Sequence, residues 1–125
     1  MSRFFWTLGS LSGATSVMLG AFGAHGLKNR ISDPAKLQSW STAAHYQLVH
    51  STALLLATYA APTNKIAMGL FGAGMAMFSG SIYLLVLWPE KFRKLGPVTP
   101  IGGVCLIAGW VALAAGRRGV PLGAR

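Results

Sequence analysis

Three histidines, His25, His45 and His50, are the side chains of this sequence most able to do chemistry near neutral pH. Around them stand Tyr46, Gln47, Ser79, Ser81 and Tyr83, with Lys28 and Arg30 on the flank. Groups of these types serve metal or haem ligation, proton relay, nucleophilic hydrolysis, or recognition of an anionic or carbonyl ligand. Spacing tests each in turn. His45 and His50 are separated by about 140° around a helix, so they make no i, i+4 metal pair. The single Cys105 excludes an internal disulfide and a cysteine-based metal site, and haem ligation would need histidines from two different helices. Hydrolysis needs a nucleophile, a base and an orienting carboxylate within hydrogen-bond reach. The only acidic side chains, Asp33 and Glu90, lie among basic residues, and nothing in the spacing sets either beside a serine. No catalytic residue, metal site or cofactor is assigned, and the chain reads as a non-enzyme.

What remains is a polar layer that doubles as a candidate lipid site: His25, Lys28, Arg30, His45, Tyr46, His50, Ser79, Ser81 and Tyr83. Its plain role is hydrogen bonding between helices. Its sharper role is a pocket for an anionic lipid headgroup, such as that of cardiolipin, or for a quinone ring. On helix two, Ala43, Tyr46, His50, Ala53 and Ala57 share a face, which turns His50 into the bundle and leaves His45 nearer the interface.

The elements that position these residues are read from charge. The charged side chains fall in five clusters: Arg3; Lys28, Arg30, Asp33 and Lys36; Lys65; Glu90, Lys91, Arg93 and Lys94; and Arg117, Arg118 and Arg125. Between them run stretches of about 22 to 28 uncharged residues, against the ~20 that a membrane-spanning helix needs. Charged residues are 10% of the chain where soluble domains average ~25%, which excludes a soluble bundle. The net charge of +9 sits at segment ends instead of along one face, so it anchors the chain to headgroups and does not mark a nucleic-acid partner. The first apolar run exceeds a signal peptide's core and ends in a basic cluster, so no cleavage is expected.

One domain, residues 1–125, therefore holds an all-α integral membrane four-helix bundle with short loops, the helices expected at about 4–25, 34–60, 66–88 and 100–116. Gly26 is expected to close the first in a left-handed conformation. Ser32-Asp33-Pro34 and Thr99-Pro100 read as cap-then-proline starts for the second and fourth. Trp40 and Trp88 are expected in one interfacial belt, Trp6 and Trp110 in the other. Arg3, Lys65, Arg117, Arg118 and Arg125 on one face balance Lys28, Arg30, Lys36, Lys91, Arg93 and Lys94 on the other, so charge does not orient the chain.

Small residues recur at spacings of three and four. They form grooves at Gly9, Gly13, Ser16, Gly20 and Gly23; at Gly69, Gly72, Ala76 and Ser79; and at Gly102, Cys105, Gly109, Ala112 and Gly116. Such grooves let helix backbones approach in lipid, within the bundle or against a partner. Gly9 and Gly20 recur about sixty residues later as Gly69 and Gly80, each pair followed by a basic loop and a helix, the pattern of a duplicated hairpin.

Several runs together resemble a known family: Gly20-Ala21-Phe22-Gly23-Ala24-His25-Gly26-Leu27, Trp40 with Thr42-Ala43-Ala44-His45-Tyr46-Gln47 and His50, Phe78-Ser79-Gly80-Ser81-Ile82-Tyr83, Thr99-Pro100-Ile101-Gly102-Gly103, and Gly109-Trp110. Their order resembles the domain of unknown function 423 family, transmembrane protein 256-like small membrane proteins, over nearly the whole chain. The resemblance implies a small multi-helix membrane protein of bacteria and mitochondria, with no catalytic residues to carry over. It is the ground for expecting the mitochondrial inner membrane, with the bacterial plasma membrane as the alternative. It also points to an accessory or scaffold subunit of a respiratory complex, complex I first, packed against larger membrane subunits and lipid. The competing reading is a small four-helix transporter or channel lined by the histidines. Drug exporters of that size carry an embedded carboxylate, which this chain lacks.

Overall fold

Each of the first three helices begins where a short polar side chain can satisfy an orphan backbone amide. Ser2 Oγ accepts from Phe5 N to start α1, Arg3–Ala24. Asp33 Oδ1 accepts from Ala35 N and Pro34 takes the first helical position of α2, Pro34–Ala60. Asn64 Oδ1 accepts from Ala67 N at the start of α3, Lys65–Leu87. The fourth helix, α4, spans Val98–Ala115 and has no side-chain cap. This computed structural model describes residues 2–116; the basic residues Arg117, Arg118 and Arg125 lie outside them.

Two local expectations are corrected. Gly26 is right-handed (φ −70°, ψ −47°), because α1 passes through it into a 3-10 turn, Leu27–Asn29, instead of stopping in a left-handed cap. A side chain at Gly26 would press on the Phe22 ring, at 2.9 Å. The fourth helix starts before Thr99-Pro100, since a proline in the first turn removes only an amide that had no partner. Thr99 is freed from capping and pairs its hydroxyl with Ser81.

The helices alternate in direction. Trp40 Nε1 near the start of α2 donates to Leu19 O near the end of α1, and Asn64 Nδ2 at the start of α3 donates to Ala112 O at the end of α4. Packing follows chain order, α1 on α2, α2 on α3, α3 on α4. Both halves have the same plan, helix, basic 3-10 turn, helix, the second turn being Arg93–Leu95. Toward the short α2–α3 loop, the core is Leu54, Ala57, Met68, Phe71, Met75 and Leu106. Toward the basic loops it is Leu27, Trp40 and Val86.

Glycine decides how close the helices come. At Gly102 a Cβ would stand 2.4 Å from Phe78 N and 2.8 Å from Met77 C, so α4 lies backbone to backbone on α3. Gly109 takes the Phe71 ring, and Gly74 on α3 takes Leu106 in return. On α1, a Cβ at Gly9 would press on Leu55 and the Ser51 carbonyl, and one at Gly23 would overlap the Trp40 indole. Gly13, Gly20 and Gly72 are looser, an added Cβ lying 3.8, 3.8 and 3.3 Å from its nearest neighbour, and at Gly69 it would meet nothing within 4 Å.

The outer surface is apolar where it is large: Leu11, Val17 and Met18 on α1 and Val104, Ile107 and Val111 on α4 are all more than 60% exposed. α3 and the stretch containing α4 are each long and apolar enough to cross a membrane. α1 and α2 carry no charge from Phe4 to Leu27 or from Leu37 to Asn64, although Ser, Thr, Gly and His dilute their hydropathy. At 27 residues, α2 is ~40 Å long and outreaches a ~30 Å hydrocarbon core.

Candidate functional site

The polar side chains divide into separate units instead of one connected layer. Gln47 ties three helices: its Nε2 donates to Ser12 O on α1 at 2.9 Å, and its Oε1 accepts from Tyr83 Oη on α3 at 2.8 Å. Ser79 Oγ donates to Ala43 O at 2.7 Å, a second link from α3 to α2. Between α3 and α4, Ser81 Oγ lies 2.5 Å from Thr99 Oγ1 and 3.1 Å from Phe78 O. A hydroxyl has one hydrogen, so with Ser81 donating to the carbonyl, Thr99 donates to Ser81.

His50 is buried and joins α2 to α4. Its Nδ1 stands 2.7 Å from Tyr46 O and its Nε2 accepts from Trp110 Nε1 at 2.9 Å. A carbonyl only accepts and an indole only donates, so this pattern assigns a neutral ring with its hydrogen on Nδ1. Neither nitrogen is left for a metal or an additional proton. Phe71 and Trp110 lie edge-on to the ring, or tilted, at 5.9 and 5.8 Å between centroids, and Tyr46, 40% exposed, stacks on Phe78 at 4.9 Å.

The remaining candidates face outward. His25 ends α1 as an exposed residue whose backbone amide bonds Ala21 O, and Lys28, Arg30 and His45 are exposed. Lys28 and His45 do meet at one feature, a cleft of ≈ 690 Å³ between α1 and α2. A second open groove of ≈ 550 Å³, lined by His45, Tyr46, His50, Phe78 and Trp110, separates α2 from α4. Among the described residues no group of three His, Cys, Asp or Glu is placed to hold a metal ion.

One tryptophan expected in an interfacial belt is instead buried, and another stays 42% exposed while its N–H is spent within the bundle. Trp40 is 2% exposed, since Gly23 opens space for its indole and Leu19 O accepts its hydrogen; Trp110 sends its N–H to His50. Trp6 and Trp88 are exposed at opposite ends. Reading by residue type had missed Ser12, Asn64, Thr99 and Gly74. The proline after Thr99 suggested only a cap, and Asn64 carried the signal of a polar residue before an apolar run.

A family model described as "Protein of unknown function (DUF423)" matches residues 19–103. The chain belongs to the DUF423 family. The match takes in the Trp40–Leu19 bond, the Gln47–Tyr83 bond and the Ser81–Thr99 pair. It also covers Gly102 and stops short of Trp110. Similar chains include a UPF0382 membrane protein of Schizosaccharomyces pombe, 42% identical over 86% of this chain and 96% of its own length. Another, from Staphylococcus aureus, is 44% identical over 89% of this chain and 92% of its own length. The UPF0382 membrane protein YwdK of Bacillus subtilis is 36% identical over 89% and 93%. No solved structure matches the chain. With relatives that are membrane proteins and an apolar exterior, this DUF423 chain is an integral membrane four-helix bundle.

Proposed function

We propose that the protein is a non-enzymatic scaffold or accessory subunit that seats a helix of a larger membrane protein on the outer face of α3. One observation carries this reading. Gly69, Ala73, Ala76 and Gly80 lie along one α3 face at spacings of four, three and four, and a Cβ at Gly69 or at Gly80 would meet nothing within 4 Å. The bundle's own contacts use the other faces of α3, through Met75 and Ser79 toward α2 and through Phe71 and Gly74 toward α4. A small-residue face left open is suited to close approach by a second helix.

The non-enzymatic part of the proposal is supported by His50, whose two nitrogens are both engaged, and by Asp33, which caps α2. A histidine relay through the membrane would have to break the Trp110 bond, so the transporter reading is the weaker one. The compartment proposed is the mitochondrial inner membrane, with a respiratory complex, complex I first, as the partner to test. The relatives in Staphylococcus and Bacillus fit the bacterial plasma-membrane alternative, and the one in fission yeast fits a eukaryotic setting.

The test is native electrophoresis of membranes solubilised in mild detergent. The wild-type chain should migrate with a large assembly, and a Gly69→Leu/Gly80→Leu variant should migrate alone with a melting temperature of its own no lower than the wild type's. Migration of the wild type as a small lone particle, or of the variant with the assembly, defeats the proposal.

A further inference from the structure

The cleft between α1 and α2 changes character along its length in the way a phospholipid does. At the end near the basic loop stand Lys28 and, on the α2 wall, Gln38, Ser41 and His45. The last three recur at spacings of three and four, on one helix face and over about 10 Å. Their neighbours Ser39 and Trp40 bond to Ala35 O and Leu19 O. By contrast, Gln38, Ser41 and His45 are exposed and form no side-chain hydrogen bond among the described residues. Gly20 and Ala44 face each other at about the level of His45, and farther in the walls become Val17, Leu48 and Ser16, whose hydroxyl is spent on Gly13 O. The buried Trp40 indole, seated on Gly23, lines the cleft at its loop end.

Charge selects the occupant. The loop cluster holds Lys28, Arg30 and Lys36 against one carboxylate, Asp33, which is engaged in capping α2. An apolar partner helix would leave Lys28, Gln38, Ser41 and His45 facing hydrocarbon, at a penalty. A zwitterionic lipid would bring its own cation beside its phosphate into a mouth already rich in positive charge, whereas an anionic one leaves net negative charge for Lys28, Arg30 and Lys36. We infer that this cleft holds one anionic phospholipid: its phosphate at Lys28, its glycerol region along Ser41 and His45, and an acyl chain over Gly20 toward Leu48. The site is separate from the open face of α3 and rests only on the membrane setting.

The full-length protein, exchanged against equal amounts of phosphatidylglycerol and phosphatidylcholine and read by native mass spectrometry, tests this. The wild type should retain phosphatidylglycerol over phosphatidylcholine by about fivefold, the weight of one basic side chain at a lipid surface. Lys28→Gln should keep bound lipid and lose the preference, and Lys94→Gln, in the other basic loop, should keep both. Gly20→Leu, whose side chain enters the cleft where Ala44 is 3.8 Å from the Cβ position, should lose the lipid. Equal retention of the two lipids by the wild type overturns the inference, and so does a preference that survives Lys28→Gln or disappears with Lys94→Gln. Lys28 is exposed in a loop, so its variant decides the matter even where Gly20→Leu fails to fold. Loss of a large assembly in the Gly69/Gly80 variant with the lipid preference intact separates this site from the docking face.

Discussion

Adding one methyl group at Gly102 should loosen the whole α3–α4 seam. The new carbon would sit 2.4 Å from Phe78 N, 2.8 Å from Met77 C and 2.9 Å from Met77 Cβ. Ordinary contact is ~3.4 Å or more, so the two backbones must separate by roughly 1 Å, and no rotamer change relieves a clash with main chain. Overpacking costs ~1–3 kcal/mol, and the upper end applies here because Gly109–Phe71 and Gly74–Leu106 share the same seam and loosen with it. Alanine returns ~1 kcal/mol through its better helix propensity, leaving a net loss of about 2 kcal/mol. Gly69→Ala supplies the control, since its Cβ meets nothing within 4 Å and only the propensity gain of up to ~1 kcal/mol remains. The two variants should therefore differ in sign and by about 3 kcal/mol. Reversible unfolding in bicelles titrated with a denaturing detergent, followed by tryptophan fluorescence, measures both. Equal effects, to within about 0.5 kcal/mol, would refute the backbone contact from which the numbers are built.

Two further substitutions address the polar units. Gln47→Leu removes the link to Ser12 and leaves Tyr83 Oη without its acceptor; at ~0.6 kcal/mol for an average interhelical bond, the loss should be about 1 kcal/mol in the same titration, and no loss would mean that Gln47 does not tie the helices. His50→Phe and Trp110→Phe, singly and together, should show a coupling energy between ~0.6 and ~1.7 kcal/mol, whereas simple additivity would deny their hydrogen bond.

Depth along each helix was legible in the sequence, and the direction each helix faces was not. Clusters such as Lys28-to-Lys36 and Glu90-to-Lys94 set where helices end, and Asp33-Pro34 set where α2 begins, because charge and proline act locally. The inward turn of His50 followed from its place on the Ala43–Ala57 face. Which partner each polar group meets depends on the rotation of two helices at once, so the expected single layer separates into Gln47 with Tyr83, Ser81 with Thr99, and His50 with Trp110. Trp40 misled for the same reason. Residue type placed it at the interface, and the space opened by Gly23 and the acceptor offered by Leu19 O drew it inward. Gly26 shows the converse, a residue chosen for the room that Phe22 needs instead of for a left-handed turn.

The full satisfaction of the polar groups has a consequence for the helices that carry them. Among the described residues every buried side-chain nitrogen or oxygen has a partner, and the one buried imidazole is bonded at both edges. A proton reaching His50 would have to displace the Trp110 N–H from Nε2, the only ring nitrogen with a lone pair. The buried hydroxyl, amide and imidazole groups thus spend their hydrogen-bonding capacity on one another and on the backbone, so polar chemistry at membrane depth serves here as the fastening between helices.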